Sequence, residues 1–578
     1  MALGLSTRKA KLRSALAGLS LSVATWLGAH SPAIGQDPPD VFAPTPHEQT
    51  SPSPSDRYGV TEEETGLRRA AGSAKGRSAR VTETDDSITP LTEAQLERIR
   101  LSHETSLVDS TELLNAYELE AALAPPLTPP KNPAASAYKG LFYDNDFRYL
   151  NQPNQHRHYL GDNLKQIEVG DRLVVDAGGE YRLRHHNEAG LRGSNLTGKS
   201  DIFLLERTRL FLNARYGEWL RFYGEAVDAN SHWENLPPRS IEENRWDALN
   251  LFSDVLLTGD TDTHLWLRGG RQELLYGDER LISPLDWSNT RRTFDGLKLF
   301  YQSPDWNIDA FWTRPISFSQ HGTPTDHEFD RPNQKQEFYG IYSTYKGRPD
   351  NTHDFYYLGY ADYGALAPAP NLVTQLFGSR WKAKHGHWLT DLEGGYQFGS
   401  KGTLDVSAGF VTAGLGREFS HTLWTPTIWV YYDWASGDKN PADGQSNTFN
   451  QLFPLGHKYF GFNDLVAREN IQDLNFQFHL KPGEKSAFLI WWHIFHLDQA
   501  QDSLYNANGT AIRTSPGGVA GTNVGQEIDF TYKYTLSARA DLLLGYSHFF
   551  AGRFVQATNP PGVAGNVDFT YTQFTWKF

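Results

Sequence analysis

The chain has 578 residues, no cysteine, and a single methionine at position 1. Lys and Arg total 54 against 68 Asp and Glu, giving a formal charge of −14, and 13% of residues are aromatic while 39% are hydrophobic. Membrane helices need runs of ~20 apolar residues and are excluded, as are disulfide scaffolds and Cys-ligated metal sites; the acidic balance argues against a nucleic-acid binder.

The first 36 residues read as a secretory signal peptide. Arg8, Lys9, Lys11 and Arg13 form a positive n-region, Ala15 to Ala29 is a short apolar stretch, and Ala33-Ile34-Gly35 offers small residues to a peptidase. Residues 37–87 are rich in Pro, Ser, Thr, Asp and Glu without an apolar period, so they are expected to be disordered. Between Leu91 and Leu123 a weak helical spacing (Leu96, Ile99, Leu107, Leu114, Tyr117, Ala121) predicts a partly helical stretch, stopped by Pro125, Pro126, Pro129 and Pro130. Residues 37–137 are therefore expected to form a periplasmic tail.

From about residue 140 the period becomes two. In Gln526–Tyr534, Ile528, Phe530, Tyr532 and Tyr534 share one face and Glu527, Asp529, Thr531 and Lys533 the other. Gln472–Leu480 and Arg209–Tyr216 repeat the pattern. A soluble sandwich would also alternate, so the chain end discriminates. Phe574, Trp576 and Phe578 lie on one face of the last strand, with Gln573, Thr575 and Lys577 opposite. A final amphipathic strand ending on Phe is similar to the assembly signal of outer-membrane barrels. Backbone groups in lipid must all be paired, which forces closure. The expected fold is all-β: a transmembrane antiparallel up-and-down β-barrel of about 18 strands at ~24 residues per strand and connection. Long connections are expected at Ser231–Leu249, Phe318–Lys335, Ala435–Gly456 and Gln499–Gly525, around an aqueous lumen that loops folded inward would plug.

Several strings carry a more specific signal: Tyr138–Phe147, Gly270–Ile282, Trp287–Gly296, Tyr432–Asp438 with Asn447–Gly456, and Gly545–Phe554. Together they resemble the alginate export family, and the resemblance spans residues 138–578. It implies an 18-stranded outer-membrane channel passing an anionic uronate polymer outward.

Such a polymer needs cations along its path, each weak enough to release it. Strand alternation places Arg182, Arg184, Arg207, Arg209, Arg215, Arg221, Arg292 and Lys298 on the face opposite the apolar residues. Arg271 is assigned with them, although Gly269 and Gly270 leave room for a bulge. Asp176, Glu180, Glu225, Glu527, Asp529 and Asp541 fall on the same lumen face, so the wall is either net cationic or a self-compensated ladder.

No catalytic or metal constellation is expected. Ser343 and Lys346 of a Ser-x-x-Lys match fall on opposite strand faces, and His185-His186 and His493/His496 lack a third ligand. Gly193–Ser200 has phosphate-loop spacing, but a strand follows where a helix is required. Asp438–Gly444 departs from calcium-loop spacing. The sequence thus predicts a non-enzymatic channel without cofactor for an anionic polysaccharide or similar acidic solute, the alternative being a solute-uptake porin with a charge-compensated lumen. Expected partners are outer-membrane lipid, the barrel-assembly machinery and periplasmic secretion components, with no nucleic acid.

Overall fold

The computed structural model describes residues 133–152, 159–192, 196–317, 329–364 and 371–578. The signal peptide, the residue 37–87 segment and the Leu91–Leu123 helix lie outside these residues.

Eighteen strands close into one antiparallel barrel. The first six are β1 (Leu173–Ala189), β2 (Asp201–Tyr216), β3 (Leu220–His232), β4 (Asn244–Gly259), β5 (His264–Gln272) and β6 (Phe294–Gln302). They are followed by β7 (Trp306–Pro315), β8 (Gln336–Arg348), β9 (Asn351–Asp362), β10 (Leu372–His385), β11 (Trp388–Lys401) and β12 (Leu404–Glu418). The last are β13 (Thr427–Ala435), β14 (Ile471–Gly483), β15 (Ser486–Leu497), β16 (Asn523–Ser537), β17 (Ala540–Ala551) and β18 (Val567–Lys577). Each pairs with its sequence neighbours, and β18 closes on β1 with Tyr181 opposite Trp576 and Leu183 opposite Phe574. Closure removes both sheet edges, the condition for a β-structure in lipid.

Alternation sets what faces lipid. Leu474 and Phe478 of β14 are exposed while Asp473, Asn475, Gln477 and His479 are buried on the lumen side. Both ends of the described chain and the short turns, such as 217–219, 349–350 and 538–539, lie at one mouth; the long connections lie at the other. In outer-membrane barrels the short turns are periplasmic.

Three segments fill much of the interior. Connections 273–293 and 436–470 fold inward and join through a parallel bridge between Ile282 and Phe453, flanked by Ser283 N–H donating to Phe453 O at 2.9 Å and Phe453 N–H to Leu281 O at 2.9 Å. Leu281, Ile282, Leu285 and Trp287 from one loop, with Leu455, Phe460 and Leu465 from the other, build an apolar core with the barrel wall. Burying each such side chain is worth roughly 1.5–3 kcal/mol, which drives the loops inward.

The third filler corrects the sequence reading. The string Tyr138–Phe147, expected at the start of the barrel, forms no strand, and the barrel wall begins at Leu173. Tyr138, Phe142, Tyr143 and Phe147 instead pack inside against Phe211, Tyr223 and Phe252 of β2–β4. Arg539, in the turn between β16 and β17, also holds this segment, through Asp162 at 3.3 Å and Ala134 O at 3.2 Å.

Candidate functional site: the barrel lumen

On β1–β3 alternation points the expected arginines inward, and each meets a partner. Arg182 donates to the loop carbonyls of Asp286 (2.8 Å) and Ser288 (3.1 Å). Arg184 lies over the Trp287 ring at 3.3 Å and donates to Trp287 O and Gln573 Oε1. Arg207 bridges Glu180 at 2.6 Å and Asp286 at 2.7 Å. Arg209 pairs with Glu225 at 2.6 Å and covers the Phe142 ring. Arg221 lies 3.6 Å from Asp254 and donates to Asn213 and to Tyr143 O. All five are at most 2% exposed. Arg215, nearer the periplasmic mouth, pairs with Asp176 at 3.0 Å and keeps 18% of its side chain exposed. Lys298 on β6 pairs with Asp309 at 3.1 Å. These cations are therefore struts between wall, loops and N-terminal segment, the self-compensated ladder of the two sequence alternatives.

Two assignments are corrected. The register of β5 with β6 runs unbroken through Gly269, Gly270 and Arg271, so Arg271 shares the outward face of Leu265 and Leu267 and pairs there with Asp295 at 2.9 Å. Arg292 precedes β6 rather than lying on it. It reaches the carbonyls of Ser283 (3.3 Å) and Pro454 (3.2 Å), fastening one inward loop to the other. Burial pushes its guanidinium down to about 10.

The carboxylates also serve loops. Glu527 accepts from Asn463 N–H at 2.8 Å, and Asp529 from Phe462 N–H at 3.4 Å while lying 3.8 Å from His493. Gly461 has φ +83, and a Cβ there would run into the Glu527 carboxylate, so the loop needs glycine to make this approach. At the chain end, Phe574 and Trp576 face outward, and Phe578 extends the β18–β1 pairing through mutual hydrogen bonds with Gly179. Tyr138 Oη donates to Phe578 O at 2.5 Å and Lys165 Nζ lies 3.3 Å from it.

Sequence reasoning missed two features. The first is a lysine-lined mouth. On β1–β5 the inward side chains near the periplasmic end, such as Asp176, Asp254 and Arg268, are buried beside residues 133–152 and 159–166. On β8–β17 the inward side chains Lys346, Lys384, Lys481 and Lys533 remain partly exposed, opposite two partly exposed carboxylates, Glu418 and Asp541. Lys384 pairs with Glu418 at 2.8 Å and Lys533 lies 3.9 Å from Asp541. The period-two run of Arg380, Lys382 and Lys384 in β10 was the available signal. The second is a socket in the wall of β10 and β11. There Arg380 and Lys382 hold Asp278 from the tip of loop 273–293 at 2.8 and 3.2 Å, and Arg280 of the same loop pairs with Asp391 at 2.5 Å and Glu393 at 2.8 Å.

An eighteen-stranded barrel whose lumen is crossed by buried Arg–carboxylate struts is the setting in which the family comparison falls. The alginate export model matches residues 174–564, well over half of the chain. The chain belongs to the alginate export family. Its place is the bacterial outer membrane, where it forms a channel-type barrel. Among solved structures, OccAB1 of Acinetobacter baumannii is similar at 12% identity and TM-score 0.46, covering 70% of this chain and 96% of that one. OccK8 (OprE) of Pseudomonas aeruginosa aligns at 11% identity and TM-score 0.45, covering 70% and 98%. OccD3 (OpdP) of the same organism aligns at 10% and 0.44, covering 70% and 91%. No curated protein matches the sequence. The family match begins at the second residue of β1 and leaves the inward-packed Tyr138–Phe147 string of this alginate export family member outside it.

Proposed function

We propose that this channel passes an acidic polysaccharide of alginate-like polyuronate chemistry, or a similar acidic solute, across the outer membrane with no catalytic step. The observation that carries this reading is the mouth of β8–β17, where Lys346, Lys384, Lys481 and Lys533 outnumber Glu418 and Asp541 on the side that the N-terminal segment leaves open. The Lys384–Glu418 and Lys533–Asp541 side chains keep 11–15% exposure, more than the buried struts, so a charged chain can exchange onto these lysines in turn. Loops 273–293 and 436–470 then act as the filter. The proposed partners are the lipid bilayer, the barrel-assembly machinery and periplasmic secretion components that deliver the polymer.

A second reading, uptake of small acidic solutes through a charge-compensated lumen, is favoured by the pairing of Arg207, Arg209 and Arg268 with carboxylates. Current block in planar bilayers separates the two. Export of a polymer predicts that oligouronates added on the turn side block current, with affinity rising with chain length and falling several-fold in a Lys384→Glu, Lys481→Glu variant. Block by the monomer as strong as by the oligomer would favour the small-solute reading. No block by either would refute both.

A further inference from the structure

Loop 273–293 turns back on itself at Gly277–Arg280. Gly277 (φ +57) and Glu279 (φ +67) both sit in the left-handed region, and Glu279 N–H donates to Tyr276 O at 3.2 Å. This tight turn thrusts the Asp278 side chain at the wall of β10. Arg380 Nη2 meets its Oδ2 at 2.8 Å and Lys382 Nζ at 3.2 Å, with Arg280 at 3.9 Å. Tyr459 Oη donates to the Asp278 carbonyl, and Lys458, from the second inward loop, lies 3.5 Å from Glu279. These cations hold the Asp278 carboxyl well below the usual carboxylate range. The wall cations continue down β10 to Lys384 at the partly exposed mouth, and a small polar pocket lined by Lys458, Tyr459, Asn475 and Gln477 lies beside the loop tips.

We propose that Asp278 is a tethered stand-in for a transported carboxylate: its side chain occupies a carboxylate-binding socket formed by Arg380 and Lys382, and an incoming uronate opens the lumen by displacing it. The inference rests on the acidic-substrate reading above. The chemistry is one carboxylate exchanged for another on Arg380 and Lys382, while Arg280, which moves with the loop tip, is withdrawn from Asp391 and Glu393. Arg380 also pairs with Asp354 of the wall at 2.7 Å, so the exchangeable anion of the socket is the second one, Asp278 in the closed state and a uronate in the open one. Displacement also makes opening conditional on substrate, since the ligand binds only the state in which the loop is out.

The test is sodium glucuronate binding to the refolded, detergent-solubilised barrel, with glucose and matched sodium chloride as controls. Asp278→Asn vacates the socket of its charge, so glucuronate affinity is expected to rise at least about fivefold, the low end of coupling between competing sites. Adding Lys382→Gln to that variant is expected to abolish the gain. In the unmodified protein, saturating glucuronate is expected to expose Arg280 at the loop tip to trypsin, a readout that survives if the variants do not fold. Unchanged glucuronate affinity in Asp278→Asn overturns the inference, as does unchanged trypsin cleavage. If the unmodified channel prefers anions while Asp278→Asn behaves like it, only this inference falls; if the unmodified channel prefers cations, the substrate reading falls first.

Discussion

Buried charge in this lumen is structural at most positions, and the cost of breaking it scales with desolvation. Arg207 is fully buried between Glu180 and Asp286, and it also donates to Ser288 O at 3.1 Å. Replacing it with Gln removes the cation shared by Glu180 and Asp286, Asp286 keeping Arg291, and is expected to destabilise the folded barrel by about 3–5 kcal/mol. Arg215→Gln breaks a pair whose Arg side keeps 18% exposure and leaves Asp176 accepting from Gln166, and is expected to cost less. Urea unfolding of the two variants in micelles checks the contrast; equal effects would contradict the strut assignment. Alternation in the sequence placed Arg182, Arg184, Arg207 and Arg209 on the correct face because strand period is local. Their partners were not legible, since Asp286 and Trp287 arrive from a loop some eighty to a hundred residues away.

At the scale of elements, the two inward loops are the movable parts. Glu469 closes loop 436–470, accepting from Gln451 N–H at 3.3 Å, and burial pushes its carboxyl from 4.5 up to about 8. A carboxyl that keeps its proton when packed but loses it when released favours the packed loop at low pH. That preference decays as pH rises from ~4.5 and is gone above ~8. Protease protection of loop 436–470 is therefore expected to fall across this range and then level off, and Glu469→Gln is expected to flatten the profile. Protection that increases with pH would contradict the assignment. Loop 273–293 escaped the sequence reading because its apolar residues, Leu281, Ile282, Leu285 and Trp287, imitate strand content while burying themselves in the lumen core. The terminal strand was legible. Deleting Phe578 removes the Gly179 hydrogen bonds and the carboxyl held by Tyr138 and Lys165, so heat-modifiable barrel is expected to be lost far more than on Lys577→Ser. Equal recovery of both variants would count against this closure.

At the scale of the whole molecule, the barrel is asymmetric about its axis. β2–β5 are sealed by aromatic and Arg contacts with Tyr138–Phe147, and β8–β17 present partly exposed lysines at the periplasmic mouth. The lysine side was half legible: the Arg380, Lys382, Lys384 run stands in the sequence, but only closure of the barrel and the one-sided N-terminal filler reveal which cations stay wet. The net charge of −14 says nothing about this, because selectivity is set by the groups that line the path rather than by the sum. The most direct measurement is the reversal potential of the refolded channel across an about tenfold KCl gradient, kept near or below roughly 0.1 M so that mouth charges are not screened. A lysine-lined path predicts anion selectivity that weakens or inverts in the Lys384→Glu, Lys481→Glu variant. Cation selectivity in the unmodified channel, or selectivity unmoved by those two substitutions, would contradict it.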